Sequence, residues 1–355
     1  MAIGRKQPRG FRIIVRRMQH EFADGRLAAW MTEHVPGFSG PLQARVLSGG
    51  QSNPTYQLSA PSGEYVLRRK PLGLILPSAH AVEREFRILK ALRGSAVPVP
   101  RVYDLCEATE IAGSPFYVME FVPGRIFMNV DAAGVGRDER GAMFESMNAT
   151  IAALHAITPA AVGLEDFGRP ENYLQRQLAR WTRQYRASIT DPIVQMDQII
   201  DWLGTHLPPE RGGRLVHGDF KLDNLIFHPT EPHIVAVLDW ELATVGDPFA
   251  DFAYHVMPWH LEPDLFRGWA GLDLAALGIP SELEYVAAYA RRSELAEVPA
   301  WRFYLVFSMF RLAAILQGIA KRAADGTAAD SRASDVGRQA RPVASRAWEL
   351  ASGSR

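Results

Sequence analysis

Asp219, Asn224 and Asp239 are the residues in this sequence whose types and spacing could do chemistry together. The first two lie in LVHGDFKLDNLIF (215–227) and the third in IVAVLDWE (234–241), so two short apolar runs of β character each deliver an acid, twenty positions apart. A carboxylate beside an attacking hydroxyl, with a set of oxygen ligands for Mg²⁺, is most of what a protein must supply for phosphoryl transfer. A lone Asp is more often a turn or cap residue. Two acids and an amide in register favour catalysis over that reading.

Their spacing is that of the protein-kinase catalytic loop H-R-D-x-x-x-x-N followed by the metal-binding D-F-G, with Gly218 in place of the Arg and Trp240-Glu241 in place of Phe-Gly. This form of the pattern resembles the aminoglycoside-phosphotransferase family of kinase-like enzymes. It is most similar to the subgroup fused to, or associated with, acyl-CoA dehydrogenases, through GGQSNPTY, PSAHAVEREFRILKAL, VHGDFKLDNLIF and VLDWELATVGDPFADFAY in that order. The resemblance runs from about Phe22 to Ala351.

The resemblance implies ATP and Mg²⁺ as cofactors, Asp219 as catalytic base, and Asn224 and Asp239 as Mg²⁺ ligands. Lys221 matches the place of a lysine that approaches the γ-phosphate in many protein kinases, and an exposed lysine is an equal alternative. Glu241 is either a second metal ligand or a partner of loop backbone. His217 is expected to tie the catalytic loop together, and Asp251 in GDPFADFAY to anchor that loop from a following helix. For the acceptor, the subgroup implies a hydroxy acid or its CoA thioester, phosphorylated ahead of elimination in lipid breakdown, and a functional association with an acyl-CoA dehydrogenase.

The elements that must position these groups read as follows. LSGGQSNPTY (47–56) takes the place of a nucleotide-covering hairpin, where Gly49 and Gly50 allow backbone N–H groups close to phosphate and Ser52 and Asn53 add donors. By itself a Gly-Gly turn is a common hairpin. The kinase V-A-I-K pattern maps onto Tyr65-Val66-Leu67-Arg68. Strand alternation puts Arg68 and Lys70 on one face and Arg69 on the other, so either could meet the α/β-phosphates, with Arg68 preferred by register. Its ion-pair partner is expected to be Glu85 on the next helix, Glu83 facing elsewhere. YVMEFVPG (117–124) resembles a kinase hinge, in which the Glu120 carbonyl and the Val122 amide bind adenine with Met119 behind them.

Patterning predicts a helix over 24–35, five strands interrupted by one helix (78–94) up to Val122, and mainly helices beyond Pro123-Gly124. The fold class expected is α+β, protein-kinase-like and two-lobed, with ATP in the cleft. Residues 1–21 form a basic tail, 22–122 a small β-rich nucleotide-binding lobe, and 123–355 a larger α-rich catalytic and acceptor-binding lobe. ADGTAADSRASDVGRQA (near 323–340) reads as a mobile loop before a last helix. In NYLQRQLARWTRQYR, Leu174, Leu178, Trp181 and Tyr185 make an apolar stripe opposite Arg176, Arg180 and Arg183, a basic stripe that reads as a solvated face or, less favoured, as an anion-attracting one.

The 355 residues carry 39 Lys plus Arg against 39 Asp plus Glu, so no bulk field favours nucleic acid as a partner. The run 303–320 is broken by Ser308, Arg311 and Gln317 and reads as a buried helix rather than a membrane span. One cysteine, Cys106, cannot form an internal disulfide, which fits a reducing cytoplasm. Two rival functions stand beside the hydroxy-acid kinase. One is phosphorylation of an aminoglycoside or a choline-like amino alcohol, which are cationic acceptors. The other is a catalytically silent nucleotide-binding module, against which the intact Asp219, Asn224 and Asp239 argue.

Overall fold

Alternation of apolar and polar residues from Thr55 to Arg69, punctuated by Pro61-Ser62-Gly63, folds as the hairpin its period demands. The computed structural model describes residues 22, 24–47, 53–72, 81–129, 134–328 and 332–353; the basic tail, the first residues of the helix expected over 78–94, and Gly49, Gly50 and Ser52 lie outside the described residues.

In chain order the first elements are α1 (Arg26–His34), β1 (Gln43–Val46), β2 (Thr55–Ala60), β3 (Gly63–Arg69), α2 (Val82–Leu92), β4 (Val102–Cys106), α3 (Thr109–Ala112) and β5 (Phe116–Glu120). Then come α4 (Arg137–Ala156), α5 (Tyr173–Ala187), α6 (Val194–Thr205), β6 (Arg214–Val216), β7 (Leu225–Phe227), β8 (Ile234–Val237) and β9 (Thr244–Gly246). The chain continues through α7 (Pro248–Val256), α8 (Leu274–Leu277), α9 (Glu282–Arg292), α10 (Trp301–Ala324), α11 (Ala333–Arg338) and α12 (Ala340–Ser352).

These elements form two compact units, one reaching Arg125 and taking in 225–230 and 234–241, the other holding the remainder. In the first, five antiparallel strands are ordered β1-β2-β3-β5-β4. Leu67 and Val118 pair across the middle of the sheet and join Leu27, Met31 and Phe116 in an apolar cluster under α1. The β7–β8 hairpin belongs to this unit because its polar backbone finds partners there: Phe227 bridges Arg125, and the Val237 N–H donates to the Pro98 carbonyl at 2.8 Å.

The second unit is helical apart from the small β6–β9 ladder. Helix α10 is long and apolar enough to cross a membrane by composition alone, yet 78% of its most apolar stretch is buried in the protein, as befits a core helix. The polar stretch expected to be a loop instead contains α11. The reason is close packing: Gly337 lies so near Ala320 on α10 that an added Cβ would stand 2.6 Å from the Ala320 Cα. Small residues there permit helix contact rather than signalling mobility.

Candidate active site

Arg68 sits on β3, the central strand of the sheet, opposite Thr55 on β2 and Tyr117 on β5. Alternation sends Arg69 to the α1 face, where it is buried and donates to the Tyr56 hydroxyl at 2.8 Å and the Ala112 carbonyl at 2.6 Å. Arg68 takes the other face. Its Nε and Nη2 reach the two carboxylate oxygens of Glu85 at 2.7 and 2.9 Å, and Nη2 also reaches Asp239 Oδ1 at 2.7 Å. Lys70 pairs instead with Glu83, at 2.9 Å. The register expectation for Arg68 and Glu85 is therefore met as geometry, and Glu83, expected to face elsewhere, is the partner of Lys70.

Glu85 is 1% exposed on the apolar face of α2, alongside Val82, Ile88, Leu89 and Leu92. Burial pushes its carboxyl up to about 7; Arg68 pulls it down, while Asp239 and Glu241 push it further up. For Arg68 burial works against the charge, but Glu85, Tyr117 and Asp239 outweigh it and raise its pKa. Burial sets the direction for Glu85, and the acids around the one guanidinium set that for Arg68. Glu85, Asp239 and Glu241 bring carboxylate oxygens within 4.8 Å of one another, a hard-oxygen set of the kind Mg²⁺ prefers.

Asp239 adopts a left-handed backbone, φ +64°, two residues after the end of β8. Such a conformation is uncommon outside glycine, although Asp tolerates it, and it is a form of strain that collects at functional positions. The neighbouring indole anchors the turn, Trp240 donating to the Val237 carbonyl at 2.9 Å.

Asn53 is fully buried, and neither its amide oxygen nor its amide nitrogen has a partner among the described residues. A buried polar group left so is costly unless something else satisfies it. At the proposed hinge, Glu120 ends β5, its N–H donating to the Arg101 carbonyl at 2.9 Å. The Val122 amide finds no backbone acceptor among the described residues.

In the second unit Asp251, 4% exposed on α7, accepts the N–H of His217 and that of Gly218, each at 2.7 Å. His155 from α4 lies 3.1 Å from the same carboxylate and 2.7 Å from the Tyr289 hydroxyl. Burial alone would raise the Asp251 pKa, but His155 and His217 outweigh it and lower it. The His217 Nδ1 accepts the Asp219 N–H at 3.2 Å, so His217 and Asp251 do hold the loop as expected. Gly218 has φ +82°, and a Cβ there would stand 2.8 Å from the Leu242 carbonyl oxygen, which explains why no arginine occupies this place.

Asp219 Oδ2 accepts from Lys221 at 2.8 Å and from the Asn224 amide nitrogen at 3.1 Å. Asn224 also donates to the Asp219 carbonyl at 2.9 Å. Its amide nitrogen is thereby used within the loop, and its oxygen takes no part in those two bonds. Oδ1 of Asp219 has no protein partner among the described residues. For Lys221 burial disfavours the charge, while Asp219 and Asp223 more than offset this and raise its pKa. The lysine is an ion-pair partner of the acid rather than a free surface group.

Sequence reasoning missed several residues at this site. Arg311, noted there only as a break in an apolar helix, donates to the Gly218 carbonyl at 2.7 Å. Its signal was a lone charge among residues that are otherwise buried. His155 and Tyr254 carried no signal of their own. Arg267, at φ +57° beside Phe266 at φ +52°, donates to Asp223 at 3.2 Å and to the Met128 carbonyl at 2.9 Å. The stripes on α5 segregate as patterned: Leu174, Leu178, Trp181 and Tyr185 are buried and the three arginines exposed. Arg176 is occupied by the Glu171 and Arg169 carbonyls at the start of its own helix.

Comparison with known proteins decides the family. Residues 43–304 match the model of the phosphotransferase enzyme family. The chain belongs to that family. A crystal structure from Ralstonia eutropha JMP134, provisionally assigned as an aminoglycoside phosphotransferase, is 50% identical with a TM-score of 0.86, covering 92% of this chain and 98% of that one. A thermostable mutant of the aminoglycoside phosphotransferase APH(4)-Ia, in ternary complex with AMP-PNP and hygromycin B, is 19% identical with a TM-score of 0.61, covering 93% of this chain and 99% of that one. At that identity the likeness is one of fold, and the fold of this family member is kinase-like α+β. Mouse acyl-CoA dehydrogenase family member 10 is 45% identical over 315 residues, which is 88% of this chain and 30% of that protein. The chain thus spans under half the length of the curated relatives it matches.

Proposed function

We propose that this family member is an ATP- and Mg²⁺-dependent kinase that phosphorylates the hydroxyl of a hydroxy acid or of its CoA thioester. The observation that carries the phosphotransferase part is Asp219: one carboxylate oxygen is held by Lys221 and Asn224, and the other is free of protein partners among the described residues. A base needs that arrangement, fixed in orientation yet open to the proton it receives. Transfer then consists of attack by the acceptor oxygen on the γ-phosphorus and cleavage of the bond to the bridging oxygen, with ADP leaving and the hydroxyl proton passing to Asp219.

Asn224, Asp239 and Glu241 are the groups that would hold Mg²⁺, which supplies charge neutralisation of the phosphates. Arg68, set by Glu85, meets the α/β-phosphates, and Asn53 with Gly49, Gly50 and Ser52 covers them. The Glu120 carbonyl and Val122 amide take adenine. The solved APH(4)-Ia complex, which holds an ATP analogue, supports the nucleotide assignment by fold.

The acceptor class rests on the relatives named as acyl-CoA dehydrogenases, of which this chain matches only a part. It pairs the kinase with enzymes acting on the same acyl chains. The Ralstonia relative favours a second reading, an aminoglycoside acceptor. Incubation with Mg²⁺-ATP and a panel of hydroxy acids, their CoA thioesters, kanamycin and choline, read by mass spectrometry, separates the two. A gain of one phosphate on a hydroxy acid or thioester is expected. Gain only on kanamycin or choline overturns the acceptor class, and no ATP-dependent gain on any hydroxyl overturns the kinase.

A further inference from the structure

Arg311 is an arginine without a counter-ion. It sits in α10 among residues that are almost all buried, and among the described residues its one hydrogen bond is the 2.7 Å donation to the Gly218 carbonyl, with no carboxylate paired to it. Its Nε is buried and unpartnered. A guanidinium has five N–H donors, and a buried Nε without a partner costs stability unless a ligand uses it.

The plane of the group is set by aromatic rings. Tyr254 lies under the guanidinium at 4.5 Å and Trp181, from the buried stripe of α5, at 5.5 Å. Rings on either element leave little rotamer freedom, so the fork is pre-organised and little entropy is lost when it binds. Its neighbourhood is that of the candidate base. Gly218, whose carbonyl it holds, is covalently joined to Asp219. Burial raises the Tyr254 pKa to about 12, and Asp219, Arg311 and Lys221 all act on the same phenol. Both carboxylates that act on this phenol already have cations of their own, Asp219 in Lys221 and Asp223 in Arg267.

Resting on the hydroxy-acid reading, we propose that Arg311 binds an oxyanion carried by the acceptor and selects anionic over neutral or cationic hydroxyl compounds. The oxyanion is the carboxylate of a free hydroxy acid or a phosphate of a CoA thioester, and the same fork chemistry recognises either. Arg311 is an acceptor-binding residue; the proton still goes to Asp219.

The test compares 3-hydroxybutyrate, its methyl ester and 3-hydroxybutyryl-CoA as acceptors for the wild type, Arg311→Gln and Arg311→Lys. Loss of a charged hydrogen bond predicts that Arg311→Gln lowers kcat/KM for the anionic acceptor at least about tenfold more than for the methyl ester, mainly through KM. Arg311→Lys should recover part of that preference, because it keeps the charge. A penalty on the free acid identifies the carboxylate, and a penalty on the thioester alone identifies the CoA phosphates. Equal losses on all three acceptors, or a change confined to the KM for ATP, overturn the proposal and leave Arg311 as a prop of the Gly218 carbonyl. If Arg311→Gln does not fold, the same ratios for Arg311→Lys decide, an unaltered acid-to-ester preference counting against. Wild-type turnover of kanamycin or choline with none of the three would sink the hydroxy-acid reading and this inference together, whereas the other failures leave that reading standing.

Discussion

The guanidinium of Arg68 and the carboxylate of Asp239, 171 residues apart in sequence, meet at 2.7 Å. Arg68 also makes a forked pair with Glu85, so one cation serves both the acid of α2 and the acid proposed to ligate Mg²⁺. Removing the cation leaves Glu85, 1% exposed, as an uncompensated buried charge. Arg68→Met should therefore lower stability by about 3–5 kcal/mol in urea unfolding. Glu85→Gln, which removes the charge and keeps the shape, should cost clearly less. An equal or larger loss for Glu85→Gln would mean that charge compensation is not what the pair provides.

Asp219→Asn should lower kcat by about 10²–10⁴-fold, the range for loss of a positioned base. The thermal stabilisation given by Mg²⁺-ATP should be nearly that of the wild type, since the role belongs to the transition state. Single-turnover rates and melting curves with nucleotide check both halves. Turnover within a few-fold of wild type removes Asp219 from the role.

Asp251→Asn replaces one of two oxygens that each accept a backbone N–H with an NH₂ group facing a donor. A cost of about 1–3 kcal/mol is expected for the donor left unsatisfied, together with a fall in kcat as the loop loosens around Asp219. Denaturant unfolding measures the first and steady-state kinetics the second. Unchanged stability with unchanged kcat would show that the carboxylate does not restrain the loop.

His255 is buried in α7 against the Tyr285 hydroxyl, and burial depresses its pKa from 6.5 to about 4. The unfolded chain therefore takes up the proton first as pH falls. The stability due to the neutral imidazole is complete above about pH 6.5 and drains away as pH falls toward 4. Melting temperatures recorded between pH 7 and 4.5 should fall, and His255→Gln should flatten that slope. A variant with the wild-type slope would assign the pH dependence to other groups.

Much of the first unit was legible in advance because its information is local. The period-2 alternation around Arg68 separates it from Arg69, and the structure places the two on opposite faces of β3 for that reason. The apolar stripe of α5 was equally plain. Glu85 was recognisable as the partner of Arg68 only through motif order, because a glutamate in a helix ordinarily marks a solvated face. The stretch around α11 misled because Ala, Gly, Ser and Asp resemble a loop until another helix packs on them.

By itself the sequence determined which groups could do the chemistry, since Asp219, Asn224 and Asp239 stand at a spacing that backbone geometry makes meaningful, and it determined the hairpins and amphipathic helices, whose periods are written residue by residue. Only the tertiary structure decided what each charge answers to. It gave Arg68 the acids Glu85, Asp239 and Glu241, Lys70 its own glutamate, and Asp251 the amides of His217 and Gly218. It also left Arg311 with a carbonyl, two rings and no acid among the described residues. Those facts depend on distances between segments far apart in the chain, and an electrostatic interaction is set by separation and burial, neither of which a residue's neighbours in sequence record.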